Sequence, residues 1–252
     1  MMIDTHCHIL KEDYDNQAEV IKNMEENIMI VSTASPNDIE EVVELTTKYK
    51  NIYGTIGIHP EYADTYNIDD LKKIEKYLTN KKIVGIGEIG LDYHYTKENK
   101  EKQKDLFIEQ IKLANKYNKT IVIHSRDAIE DTYNTIKENK KENIKCDLHC
   151  YSGSLEMAKK FIKINTKFGI GGVLTFKNEK KLKEIVTKLE LENFVLETDS
   201  PYLAPEPLRG KKNEPINIKY VAQKIAELKN TDINTVLKET TKNAKNLFDL
   251  KI

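Results

Sequence analysis

Eight short apolar runs, each followed by a longer amphipathic stretch, recur from one end of this chain to the other. That alternation narrows the possible folds more than any other feature. The runs are Met2 to Ile9, Ile28 to Ser32, Tyr53 to Ile58, Ile83 to Glu88, Thr120 to His124, Cys146 to His149, Phe168 to Gly171 and Phe194 to Asp199. Helical patterns lie between them, such as Glu98 to Tyr117, with Leu106, Phe107, Ile111 and Ala114 at helical spacing. Parallel strands need crossover connections, usually helices, so the repeat predicts an α/β fold, a (β/α)8 TIM barrel. The 252 residues suit a single domain over 1–252, with two helices after the last strand, Asn217 to Leu228 and Ile233 to Phe248. Ser35-Pro36-Asn37-Asp38, Ser125-Arg126-Asp127 and Thr231-Asp232 read as helix starts.

All six histidines fall at or just after the end of a predicted strand: His6, His8, His59, His94, His124 and His149. None falls on a predicted helix. A barrel enzyme collects its reactive side chains on the rim formed by strand C-termini and the loops after them, so the clustering points to a metal site there. His6 and His8, two apart, project to one side of the first strand, with Cys7 on the other. Glu88, His124, His149 and Asp199 end four further strands, which brings four imidazoles and two carboxylates to one rim. That donor set suits a divalent ion without fixing which. By the same alternation Asp4, Asp147 and Glu197 face the interior one layer lower, where they are expected to accept hydrogen bonds from ligating histidines or from Arg126. His59, just before Pro60, fits either a phosphate contact or a ligand, and His94 is expected at the rim without a catalytic role. Cys146 and Cys150 share the outward parity of strand six and read, with Cys7, as packing residues.

Forty Lys and Arg against 41 Asp and Glu give a net charge of -1, which excludes a broadly basic surface following many phosphates. Only Arg126 and Arg209 are arginine. In a lysine-dominated chain their survival suggests a need for a planar, bidentate fork. Three unspaced cysteines, no secretory segment and no long apolar run lead to the expectation of a cytoplasmic protein without a membrane span. The proline-rich stretch from Ser200 to Pro215, placed over the rim, is the expected substrate loop.

Seven segments in order, Ile3-Asp4-Thr5-His6-Cys7-His8, Gly57-Ile58-His59-Pro60, Gly87-Glu88-Ile89-Gly90-Leu91-Asp92-Tyr93, Ile123-His124-Ser125-Arg126, His149-Cys150-Tyr151-Ser152-Gly153, Glu197-Thr198-Asp199-Ser200-Pro201-Tyr202-Leu203 and Arg209-Gly210-Lys211-Lys212-Asn213-Glu214-Pro215, make the chain resemble the TatD family of metal-dependent deoxyribonucleases. The resemblance implies two divalent metal ions (Mg, Mn or Zn), one held by His6, His8, Glu88 and Asp199 and the other by Glu88, His124 and His149, with Glu88 shared. It further implies hydrolysis of DNA phosphodiesters, often as a 3′ to 5′ exonuclease on single-stranded, frayed or damaged ends. Within that expectation Asp199 and Glu88 are the catalytic residues, Asp199 orienting or deprotonating a metal-activated water. Arg209 would clamp a phosphate oxygen, with His59, Asn213 and Tyr202 placing the strand. The expected partner is a DNA end touched at few phosphates, and the expected state is a monomer. Two alternatives are an amidohydrolase-type esterase acting on a carbonyl substrate such as aminoacyl-tRNA, and a metal- or nucleic-acid-binding protein without turnover.

Overall fold

A computed structural model describes residues 1–94 and 98–252. Eight strands, β1 (Ile3–Cys7), β2 (Ile28–Ser32), β3 (Ile52–Thr55), β4 (Ile83–Asp92), β5 (Thr120–Arg126), β6 (Cys146–Leu148), β7 (Thr166–Ile170) and β8 (Phe194–Leu196), stand side by side in sequence order. Each neighbouring pair is parallel. The connecting helices are α1 (Gln17–Asn23), α2 (Ile39–Lys48), α3 (Ile68–Tyr77), α4 (Lys100–Tyr117), α5 (Ile129–Asn139), α6 (Leu155–Ile162) and α7 (Lys181–Lys188), followed by α8 (Ile218–Lys229) and α9 (Ile233–Phe248). The first and last strands meet through the Asp199 N–H, which donates to the His6 carbonyl at 3.0 Å, and the His8 N–H, which donates to the Ser200 carbonyl at 2.7 Å. This is the (β/α)8 barrel that the alternation predicts.

The apolar core has two parts. A large layer fills the space between strands and helices, and a smaller one, with Ile3, Ile30, Val84, Val122 and Val195, fills the barrel interior. Leu247 and Phe248 of α9 join that inner cluster, so the last helix plugs the barrel at the end away from the rim. The hydroxyl of Thr120, the first residue of β5, donates to the Leu247 carbonyl at 2.6 Å and ties the plug in place.

Two bulges re-aim residues at the rim. On β4, Ile86 pairs with Ile121 and Ile89 with Ile123, so Gly87 and Glu88 together face the single residue Val122. On β1, Asp4 pairs with Met29 and Cys7 with Val31, so Thr5 and His6 face only Ile30. Bulges interrupt simple alternation and are common beside active sites. A Cβ on Gly87 would sit 2.5 Å from the Val122 Cβ, so the bulge requires glycine there.

Most predicted elements reappear, with shifted ends. Strand β4 continues four residues past Glu88, whereas β3, β6 and β8 stop before His59, His149 and Asp199. Ser35 caps a short 3-10 turn at Pro36–Asp38 with Asp38 returning the hydrogen bond, and Asp232 caps α9. Ser125-Arg126-Asp127 does not open a helix. Strand β5 runs through Arg126 instead, α5 begins at Ile129, and the Ser125 hydroxyl pairs with that of Thr132 at 2.9 Å. No helix among the described residues is long and apolar enough to cross a membrane.

Candidate metal centre

The six predicted ligands converge. Glu88, buried at the β4 bulge, presents its two oxygens to different pairs of imidazoles. Its Oε1 lies 2.8 Å from His124 Nδ1 and 2.9 Å from His149 Nε2. Its Oε2 lies 3.5 Å from His6 Nε2 and 3.7 Å from His8 Nε2. Asp199 Oδ1 stands 3.7 Å from Nε2 of both His6 and His8. Each group of donors lies close enough to share one ion: His6, His8 and Glu88; Glu88, His124 and His149; and His6, His149 and Asp199.

The chemistry of these donors fits a cation. His6 Nε2 and His8 Nε2 face each other at 3.2 Å, and His149 Nε2 faces His124 Nδ1 at 3.5 Å. Nitrogens so placed share a common electrophile readily. His8 Nδ1 lies 3.0 Å from the Ser32 carbonyl, which requires the proton on Nδ1 and leaves the Nε2 lone pair facing the site. The His6 and His149 rings stack at 4.0 Å.

The charges are tightly balanced. Burial would raise the Glu88 carboxyl, but His149, His59 and His124 hold it well below the usual range. Burial and the neighbouring His149 press His6 down to about 3, so it stays neutral. Burial opposes charge on His149 too, but there Glu88 outweighs it, and the ring is pushed up to about 10. Burial raises Asp199, with His149 and His8 working against the rise. One layer lower, burial lifts Asp4 to about 8 against hydrogen bonds from Thr198 and the His6 N–H.

A cleft of about 630 Å³ opens over these donors, lined also by His59, Arg126, Cys150 and Tyr202. His59 Nδ1 lies 3.3 Å from the Glu61 nitrogen and 3.4 Å from its carboxylate, with Nε2 3.6 Å from Glu88 Oε1, and His59, Asp92 and His124 form a further group of donors close enough to share an ion. Tyr202 is 60% exposed at the mouth.

Several expectations need correction. Arg209 does not line the cleft: its guanidinium carbon stacks 3.8 Å over the Phe176 ring, on the far side of the loop after β7. Arg126 lines it in that place, at the end of β5. Asn213 is fully buried, its amide donating to the Thr198 carbonyl and its oxygen accepting from Glu214 and Asn217, so it braces the loop and does not line the cleft. The lower carboxylates do not hold the histidine rings by hydrogen bonds. Asp4 takes backbone and hydroxyl donors, Glu197 Oε1 accepts the Cys150 N–H at 2.6 Å, and neither oxygen of Asp147 has a partner among the described residues. Ser32 and Asp92 meet the rings instead, Asp92 Oδ2 lying 2.9 Å from His124 Nε2. Cys150 has a positive φ of 46°, beyond the end of β6, and lines the cleft, so the outward parity inferred for it does not hold. His94 sits at the rim, its Nδ1 3.1 Å from Asp127. Sequence reasoning passed over Asp92 although it lies four residues after Glu88 on the same strand.

The sequence and the fold resemble those of known proteins. The family model described as TatD related DNase matches residues 3–249. The metal-dependent hydrolase YabD of Bacillus subtilis is 42% identical, over 98% of this chain and 99% of that protein. The metal-dependent hydrolase YcfH of Escherichia coli is 31% identical, over 99% of this chain and 96% of its own length. The crystal structure of YJJV, a TatD homologue from Escherichia coli, superposes with a TM-score of 0.89 at 26% identity, covering 99% of this chain and 98% of that one. Spanning nearly the whole chain, these matches and the rim on which its histidines and carboxylates converge lead to one conclusion: the protein belongs to the TatD family and is a metal-dependent hydrolase.

Proposed function

We propose that this hydrolase cleaves phosphodiester bonds at DNA ends with two divalent ions, Mg, Mn or Zn, in the 3′ to 5′ direction on single-stranded or frayed termini. The observation that carries this reading is Glu88, whose two oxygens serve two separate imidazole pairs. His6, His8 and Asp199 with Glu88 would hold one ion, and Glu88, His124 and His149 the other. Bound there, such ions supply an activated water and neutralise charge on the phosphodiester.

The protein's own groups do the rest. Asp199, with a carboxyl raised by burial, accepts the proton of the attacking water. Arg126 offers its fork to a non-bridging phosphate oxygen from the β5 side of the cleft. His59 helps to place the strand from the same cleft. Tyr202 gives an exposed ring on which a terminal base stacks. Glu12, Asp13, Asp38 and Glu61 line the opposite side of the same cleft. That acidic wall repels a continuing phosphate backbone, which supports a strand terminus over an intact duplex.

Incubating metal-loaded protein with 5′- and 3′-labelled single-stranded DNA, and separately with an aminoacyl ester, tests the reading. Stepwise shortening of the 5′-labelled strand, with the ester intact, is expected. Glu88→Gln should reduce that cleavage to background with the fold retained. Ester hydrolysis without DNA cleavage would replace the nuclease reading by the carbonyl one.

A further inference from the structure

We infer that Asp92 and Gln103 are positioning residues for the second metal position, fixing the ring of His124 so that Nδ1 is presented beside Glu88 and His149. The inference rests on the two-ion reading above.

His124 lies between two carboxylates, with Nδ1 2.8 Å from Glu88 Oε1 and Nε2 2.9 Å from Asp92 Oδ2. An imidazole that donates from Nε2 to a carboxylate keeps the Nδ1 lone pair available, has its ring plane fixed, and gains basicity as a ligand. Among the described residues, the three other candidate ligand histidines make no hydrogen bond to a carboxylate from their second nitrogen. His6 and His8 meet the Ser32 hydroxyl and carbonyl, and His149 Nδ1 has no hydrogen-bond partner among the described residues, standing 3.8 Å from Glu197.

Asp92 is itself held from every side. Its Oδ1 accepts the His94 N–H at 2.8 Å. Its backbone N–H donates to Gln103 Oε1 at 2.8 Å, and its carbonyl accepts from Gln103 Nε2 at 2.9 Å. Gln103 is 1% exposed on α4, where an unpaired amide would be costly. Seven residues along the same helix, and so on the same face, Gln110 grips Ile58 in the same way, at 2.8 Å to its N–H and 3.0 Å to its carbonyl. Ile58 precedes His59. Two buried glutamines on α4 therefore stand in for strand pairing where β3 has already ended, and set the height of two neighbouring rim residues.

Titrating metal-free protein with Mn²⁺ tests the assignment without relying on turnover. The parent should bind two equivalents. In Asp92→Asn, which keeps the side-chain volume, one binding step should weaken about 10- to 100-fold, the usual effect of losing such a partner, while the other stays within about twofold. Gln103→Leu should show the same selective loss. With bis(p-nitrophenyl) phosphate as substrate, kcat at limiting Mn²⁺ should fall, KM should hold, and excess Mn²⁺ should restore activity. Thermal unfolding of the metal-free Asp92→Asn protein should match the parent. Equal weakening of both steps, or no weakening in Asp92→Asn, would overturn the assignment. So would a third equivalent in the parent that disappears in that variant, since Asp92 would then be a ligand. A parent that binds a single equivalent would defeat the two-ion reading itself, and the inference with it.

Discussion

At the level of single residues, the chain keeps two arginines and uses them differently. Arg209 stacks on Phe176 away from the cleft, while Arg126 lines the cleft where a fork can grip two oxygens. Arg126→Lys is therefore expected to lower kcat/KM on single-stranded DNA about 10- to 100-fold, the worth of a charge-assisted hydrogen bond. Arg209→Lys should stay within about twofold. Steady-state kinetics of the pair decides between them, and the reverse order would return the phosphate to Arg209. Protonation at the site makes a second claim. His149, pushed up to about 10 by Glu88, must lose its proton before Nε2 can bind a cation, whereas His6, held near 3, has none to lose. A ring with a raised pKa keeps its proton below that value, so metal affinity should climb as pH rises, by about tenfold per pH unit for one displaced proton. Calorimetry in buffers of different ionisation enthalpy should count that proton, and an affinity flat between pH 6 and 8 would contradict it.

Among the elements, α9 shows what holds the barrel apart from its chemistry. Phe248 is 2% exposed and packs in the inner cluster with Ile3, Val84 and Val122. Phe248→Ala should cost about 3–5 kcal/mol of stability, read as a lower denaturant midpoint, with metal stoichiometry unchanged because the plug lies at the end away from the rim. Legibility in the sequence followed the same division. The helices and strands were readable because periodicity reports burial directly, and α9 falls where the pattern places it. The six candidate donors were readable because each sits in a short motif on or just after a predicted strand. Asp92 was not, because nothing local shows that β4 runs on past its bulge, and periodicity breaks at Gly87 and Glu88. Arg209 and Asn213 misled for a related reason: a proline-rich loop has no period, so which of its side chains turn toward the cleft depends on packing against Phe176 and Thr198.

For the whole molecule, the candidate donors lie on or just after β1, β4, β5, β6 and β8, so the fold and the site are assembled together. Ions that bind only the native arrangement add stability by mass action, about 2.7 kcal/mol at a hundredfold excess over Kd, and chelation should lower the unfolding temperature reversibly. A differential scan with and without chelator checks this. The seam where the Asp199 N–H meets the His6 carbonyl also has a bearing on synthesis. His6 and His8 are synthesised long before Asp199, the carboxylate that faces them, because most of the barrel's strands lie between them in the sequence. Until that later segment is made, the first strand waits as a barrel edge, and the growing polypeptide could hold ions there only once the segment around Asp199 docks against His6 and His8.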